Sequence, residues 1–257
     1  MRDLGEEGRE LAAARRVIAL ARKGRIVGGG VEQTNIGSSV GIPNQYYDYR
    51  FRYGATSTSV PLTIGWQRDS RDNVLAPNSG RYSRVNLEWS VAGDVRYLRS
   101  NLQAQQYLPF WQKFSLGLNA ELGWGTSQGG RPFPVFKNFY GGGLGSVRVF
   151  EQNSLGVIDP TGAYVGGAKK LNLNAELYLP VPGTGNDRSL RIFLFTDAGN
   201  VWRDGEPVRA DSLRASAGVG LSWVSPVGPL RLSYGRPVKY QPTDRIQRFQ
   251  FQVGTAF

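Results

Sequence analysis

The 257 residues include no cysteine, no histidine and a single methionine. Without His and Cys there is no Ser-His-Asp triad, no thiolate nucleophile and no His or Cys metal centre. The side chain that most often shuttles protons near neutral pH is also missing. Carboxylate chemistry remains open in principle. A chain free of Cys carries no signature of its redox compartment. Long hydrophobic runs are absent too. No stretch approaches the ~18 consecutive apolar residues of a membrane-crossing helix, but a membrane β-barrel needs only ~9–11 alternating residues per strand.

Acidic residues are in the minority: 31 Lys and Arg face 20 Asp and Glu, for a formal charge of +11. Such an excess can mark nucleic acid or an anionic membrane as a partner. One basic cluster lies early, at Arg9, Arg15, Arg16, Arg22, Lys23 and Arg25, and the other basic residues are scattered singly. No basic stripe carries interleaved aromatics, and no nucleic-acid-binding module is recognisable, so nucleic acid is not an expected partner. Residues 1–25 are rich in Glu, Ala, Leu and Arg and read as a helical or disordered segment outside the main domain. They do not form a signal peptide, because the longest apolar run, Val17 to Ala21, is shorter than an h-region of ~7–15 residues. The segment reads as the start of a piece of a longer chain, or as a mis-assigned start.

From residue 26 a period of two takes over. Phe249, Phe251, Val253, Thr255 and Phe257 share one face, with Gln250, Gln252, Gly254 and Ala256 on the other. Leu213 to Trp223, Leu171 to Leu179, Phe114 to Trp124 and Val85 to Val91 repeat the pattern. Weaker strands are expected at about 31–41 and 45–54, joined by a Gly41-Ile42-Pro43-Asn44 turn, and others near 60–69, 95–110, 188–199 and 230–235. The total is about eleven. Tight turns such as Ser225 to Pro229 contrast with a long Gly-rich connection over about 125–167. A soluble barrel would place charges outside its apolar interior. Here the polar face is Gly, Ser, Asn, Gln and isolated Arg or Glu, which suits a wet lumen. Trp89, Trp124, Trp223 and Phe257 lie near strand ends on the apolar face, as in an interfacial girdle. The fold class is therefore all-β, an antiparallel transmembrane β-barrel.

Four ordered motifs sharpen this. Phe139-Tyr140-Gly141-Gly142-Gly143 followed by Ser146-Val147-Arg148-Val149-Phe150 resembles the sixth-loop motif of the BamA family of outer-membrane assembly factors, in the bacterial surface antigen superfamily. Asp197-Ala198-Gly199-Asn200-Val201-Trp202 after Phe193-Leu194-Phe195 resembles that family's thirteenth strand. Trp223 to Leu230 and Phe249 to Gly254 resemble its last strands. The resemblance covers about residues 31–257 and places the eleven strands as the sixth to sixteenth of a sixteen-stranded barrel, hence a partial barrel. It departs at Val149, where the family has Gly, because a β-branched side chain resists a left-handed backbone.

Strand parity, read without the family, puts Glu176 on the inner face together with Arg191, Phe193, Phe195 and Asp197. A loop arginine is usually solvated. If the 125–167 loop packs inside, however, Arg148 needs carboxylate partners, and its guanidinium can engage one bidentately. The expectation is that Arg148 pairs with Asp197, Glu176 or both, with Val147, Val149 and Phe150 around it and Phe195 and Gly199 in the receiving strand. The resemblance implies a function without covalent chemistry or cofactor: insertion of nascent β-barrel proteins into the bacterial outer membrane. A last strand of about 246–257, carrying Phe249, Phe251, Val253, Gly254 and Phe257 as β-signal, would form a weak seam, templating substrate strands beside locally thinned lipid. Assembly-complex lipoproteins are possible partners, although the POTRA domains that dock them are absent from this sequence. Alternatives are a related translocation pore, such as TamA or a two-partner secretion transporter, a passive pore, or a lumenal hydrolase using two of Glu88, Glu121 and Glu176.

Overall fold

A computed structural model describes residues 11–22, 24–37, 42–111, 114–181, 189–226 and 228–254. Eleven antiparallel strands form one sheet in which every strand pairs with its sequence neighbours. They are β1 (Leu11–Arg22), β2 (Arg25–Ile36), β3 (Thr56–Asp69), β4 (Gly80–Gly93), β5 (Arg96–Phe110), β6 (Phe114–Gln128), β7 (Lys169–Pro180), β8 (Leu190–Trp202), β9 (Arg214–Ser225), β10 (Gly228–Lys239) and β11 (Phe249–Val253). β1 to β10 have 12–15 residues each, enough to cross a bilayer at a tilt. Among the described residues β1 and β11 do not pair with each other, so the sheet is open.

The period of two sorts the side chains. On β8, Arg191, Phe193, Phe195 and Asp197 are buried, while Leu194 is exposed. On β6 and β9, Leu118, Leu122, Trp124, Val219 and Trp223 are exposed, and Ser115, Ser216 and Ser222 are buried. A sheet with polar residues inside and apolar residues outside is the inverse of a soluble barrel. Among the described residues no helix is long and apolar enough to cross a membrane.

The interior is filled by the connection between β6 and β7, residues 129–168, which contains a short 3-10 turn at Val135–Lys137. Its side chains enter every inner cluster: Phe133 packs with Val95 and Tyr97, and Val149 with Tyr178, Phe193 and Phe195. Val147, Phe150 and Leu155 form a cluster of their own.

Two elements differ from the sequence expectation. Residues 11–22 form strand β1, not a helix or a disordered tail, and the strand domain therefore starts upstream of residue 26. A Gly24 hairpin at φ +73 sets β1 against β2 from Leu11↔Ile36 to Arg22↔Arg25. Helix propensity is a weak prior that strand pairing overrides. Residues 45–54, expected as a strand, lie in and just after helix α1 (Asn44–Tyr53), which follows Pro43 and ends at Gly54 at φ +93. Tyr47, Tyr49, Phe51 and Tyr53 mimic a strand period. Tyr46, Tyr49 and Tyr53 also fit a helix, and that face is the one buried against Ile36, Val135 and Phe136. Part of the expected 41–44 turn lies outside the described residues, and Asn44 is already helical. Residues 1–10 and Phe257 are likewise outside them.

Candidate functional site

The long loop enters the lumen and brings Arg148 to the inner face of β7 and β8. Arg148 is 2% exposed. Its Nε donates to Asp197 Oδ2 at 2.7 Å and its Nη2 to Asp197 Oδ1 at 2.6 Å, a two-point fork. Its main-chain N–H also donates to Asp197 Oδ2, at 3.0 Å. Nη1 bonds Glu176. The guanidinium plane lies 4.0 Å from the Phe195 ring centroid, in cation–π contact.

Each carboxylate has further partners. Asn174 Nδ2 donates to Asp197 Oδ1 at 2.8 Å and to the Ser146 carbonyl at 2.7 Å, tying β7 to the loop. Arg231 of β10 donates to Glu176 Oε1 at 2.7 Å, and the Tyr178 hydroxyl bonds the other oxygen. Two arginines and two carboxylates are thus assembled, with Arg148 and Asp197 fully buried and Arg231 on the more open side. Such a group holds only if geometry and hydrogen bonding are nearly complete.

The neighbours shape the pocket. Gly199 is needed for close approach: a Cβ there would lie 2.8 Å from Val147 Cγ2 and 2.5 Å from the Leu171 carbonyl oxygen. Val149 adopts φ +77, a rare conformation for a β-branched residue. Its side chain is buried against Phe193, Phe195 and Tyr178. Val149 thus holds the left-handed backbone that a Gly would adopt freely, and adds a packed side chain.

Other inner-face carboxylates are also engaged. Glu88 of β4 and Glu32 of β2 both bind Lys137 Nζ at 2.9 Å, and Glu121 binds Lys170 at 2.8 Å. Arg99 Nε donates to the Lys137 carbonyl at 3.0 Å. Lys137 is a second, part-buried cation on the same loop, fixing it to the early strands as Arg148 fixes it to the later ones. Nothing in the sequence distinguished Lys137 from an ordinary loop lysine. No cluster of potential metal ligands occurs among the described residues.

At the other end of the sheet, Phe249, Phe251 and Val253 point outward and are exposed, while Gln250 is buried. β11 begins later than the expected residue 246, because Arg245, Ile246 and Gln247 pair with the loop tip at Val149 to Glu151 instead; residues 255–257 of the expected strand lie outside the described residues. Gly254, at φ +89, follows β11 and donates its N–H to the Pro229 carbonyl at 2.8 Å.

A strand wall with an apolar exterior, closed from within by its own ion-paired loop, defines a plugged membrane-barrel class. The chain belongs to the Omp85 superfamily, whose domain matches residues 14–257. It is 37% identical to the outer membrane protein assembly factor BamA of Neisseria meningitidis, over 84% of this chain and 32% of that protein. It is 30% identical to the human sorting and assembly machinery component 50 homolog, over 74% of this chain and 44% of that one. The crystal structure of BamA from Haemophilus ducreyi lacking POTRA domains 1–3 superimposes with a TM-score of 0.80 at 24% identity, over 88% of this chain and 50% of that one. The chain thus spans about a third of the length of the Neisseria relative.

Proposed function

We propose that this barrel portion serves the assembly and insertion of β-barrel proteins in the bacterial outer membrane, with β11 as the seam strand. The observation that carries the reading is the Arg148–Asp197–Glu176 lock. It holds a long loop inside a barrel whose last strand is short and paired on one side only among the described residues. The names of the relatives point the same way. Nothing in this arrangement calls for covalent chemistry or a cofactor: Glu88, Glu121 and Glu176 are all committed to cations. The activity is non-covalent templating. An incoming strand satisfies its main-chain groups on the free edge of β11 instead of leaving them unpaired in hydrocarbon. The partners are nascent barrel proteins and the lipid against Phe249, Phe251 and Val253, with docking lipoproteins acting through domains outside this chain. Nucleic acid has no role in this reading.

The test is reconstitution of the full-length protein in liposomes with an unfolded β-barrel substrate. Insertion is read as protease protection and heat-modifiable mobility of the substrate. Insertion should be faster than into empty liposomes and should fall on Arg148→Ala. Steady ion conductance with no gain in insertion would reject the reading in favour of a passive pore, and export of a soluble substrate would reject it in favour of a translocation pore.

A further inference from the structure

The loop tip touches a third partner besides β7 and β8. The Val149 N–H donates to Gln250 Oε1 at 3.2 Å, and Gln250 Nε2 donates to the Phe150 carbonyl at 2.7 Å. Gln250 lies on β11, opposite Ser233 of β10. It is buried, and both ends of its amide are in use. The segment leading into β11 runs antiparallel to the tip. The Gln247 N–H donates to the Val149 carbonyl at 2.7 Å, the Glu151 N–H donates to the Arg245 carbonyl at 2.9 Å, and Phe150 and Ile246 form an isolated bridge. Both main-chain polar groups of Val149 therefore face residues 247–250. Its left-handed backbone separates the Arg148 side chain, held on Asp197, from a peptide edge held by Gln250.

We infer that Gln250 is the positioning residue that couples the pinned loop to the last strand, so that β11 leaves the wall only when the loop tip moves with it or releases it. The inference rests on the reading of β11 as the seam. β11 pairs with β10 over five residues, from Leu230↔Val253 to Tyr234↔Phe249, so a side chain making two bonds is a large part of what holds it. Swinging β11 outward strands the Val149 N–H in a buried site and leaves the Phe150 carbonyl with the Gly143 N–H alone, at 3.0 Å, and an unsatisfied buried donor of this kind is costly. The coupling is reciprocal: freeing Arg148 lets the tip drift and loosens β11 through the same amide.

The test is a double-mutant cycle in the full-length protein, read by hydrogen exchange over residues 246–254. Arg148→Ala should accelerate exchange there about tenfold in the otherwise unsubstituted protein, and less than about twofold once Gln250→Leu has cut the link. Gln250→Leu leaves the main-chain bonds of Gln247 and Glu151 unaltered, so a response that survives in this background is carried by them and not by the amide. Equal acceleration in both backgrounds, or none in either, overturns the inference. If Gln250→Leu fails to fold, Gln250→Ala removes both bonds without adding bulk. A response to Arg148→Ala as large in that background as in the unsubstituted protein overturns the inference too. Substrate insertion is assayed separately on the same preparations. Failure of the unsubstituted protein to insert substrate removes the functional reading, and the exchange cycle decides the coupling by itself.

Discussion

Arg148 makes three side-chain bonds to two carboxylates and lies over the Phe195 ring, and this geometry predicts how it responds to substitution. Arg148→Lys keeps the charge but replaces a planar fork with a point donor. Trypsin cleavage of the full-length protein after Lys137 should rise several-fold in this variant. Asp197→Ala is harsher, because it leaves a buried guanidinium short of a counter-charge, at about 3–5 kcal/mol in unfolding. Val149 sets two terms against each other. Its positive φ costs roughly 1–3 kcal/mol, and burial of its side chain returns about 1.5–3 kcal/mol. Val149→Gly removes both terms and should alter stability by no more than about 2 kcal/mol, while Val149→Ala keeps the strain and loses the packing. Urea unfolding that ranks the Ala variant above the Gly variant would overturn this balance. The Arg148 partners could be anticipated because period two assigns every strand carboxylate to one face. Lys137 could not. Its partners Glu32 and Glu88 lie on strands far away in sequence, and only the curl of the sheet brings them together.

At the level of elements, β3 to β10 follow the alternation closely, whereas β1 and α1 do not, and in both cases local pattern lost to tertiary pairing. The Ala- and Arg-rich β1 has β2 as its template, and α1 has the loop surface. The helix is capped from a distance. Its first residue, Asn44, donates its N–H to Asp159 Oδ2 at 2.6 Å, while Asp159 Oδ1 accepts from the Thr161 hydroxyl at 2.5 Å and from the N–H groups of Thr161 and Ala163. No nearby Ser, Thr or Asp takes that role, so a search for local caps misses it. Burial alone would raise the Asp159 pKa, but the Thr161 hydroxyl and the three N–H groups outweigh it and hold the carboxyl below its ordinary value. The sign of the pH effect follows. The ionised form is the one favoured by folding, so its contribution is complete above the unfolded value of 3.8 and is lost as pH falls through the lower folded value. Helix α1 should stay docked at pH 5–8 and loosen only below about pH 4, read as hydrogen exchange over 44–53. Asp159→Ala should loosen it at every pH and remove that acid limb, at a cost of about 1–3 kcal/mol.

Across the whole molecule the decisive property is which face of the sheet meets solvent. Leu102, Leu122 and Leu171 lie side by side across β5, β6 and β7 on the outer face, flanked toward the strand ends by Trp89 and Trp124. The opposite face places Gln103, Asn119 and Asn174 in a hydrogen-bonded row, with Gln103 Nε2 to Asn119 Oδ1 at 3.1 Å and Asn119 Nδ2 to Asn174 Oδ1 at 2.8 Å. One strand pair thus offers an apolar site and a polar site a single residue apart. In a soluble barrel the apolar row would be the core, and an arginine there would be ruinous while one on the polar row would be harmless. In a membrane barrel the apolar row faces lipid, where the cost depends on depth: about 2–4 kcal/mol for Arg near the bilayer middle and about 0–1 near the interfaces. Leu122→Arg in the full-length protein should therefore cost about 2–4 kcal/mol in liposomes. Replacing the exposed Val253 at the strand end should cost about 1 kcal/mol or less, and Gln103→Arg in the lumen should cost about as little. Reversible urea unfolding in vesicles measures all three. A Leu122→Arg cost no larger than that of Val253→Arg would mean that the outer belt is covered by something other than hydrocarbon, and the orientation of the sheet in the membrane would have to be reassigned.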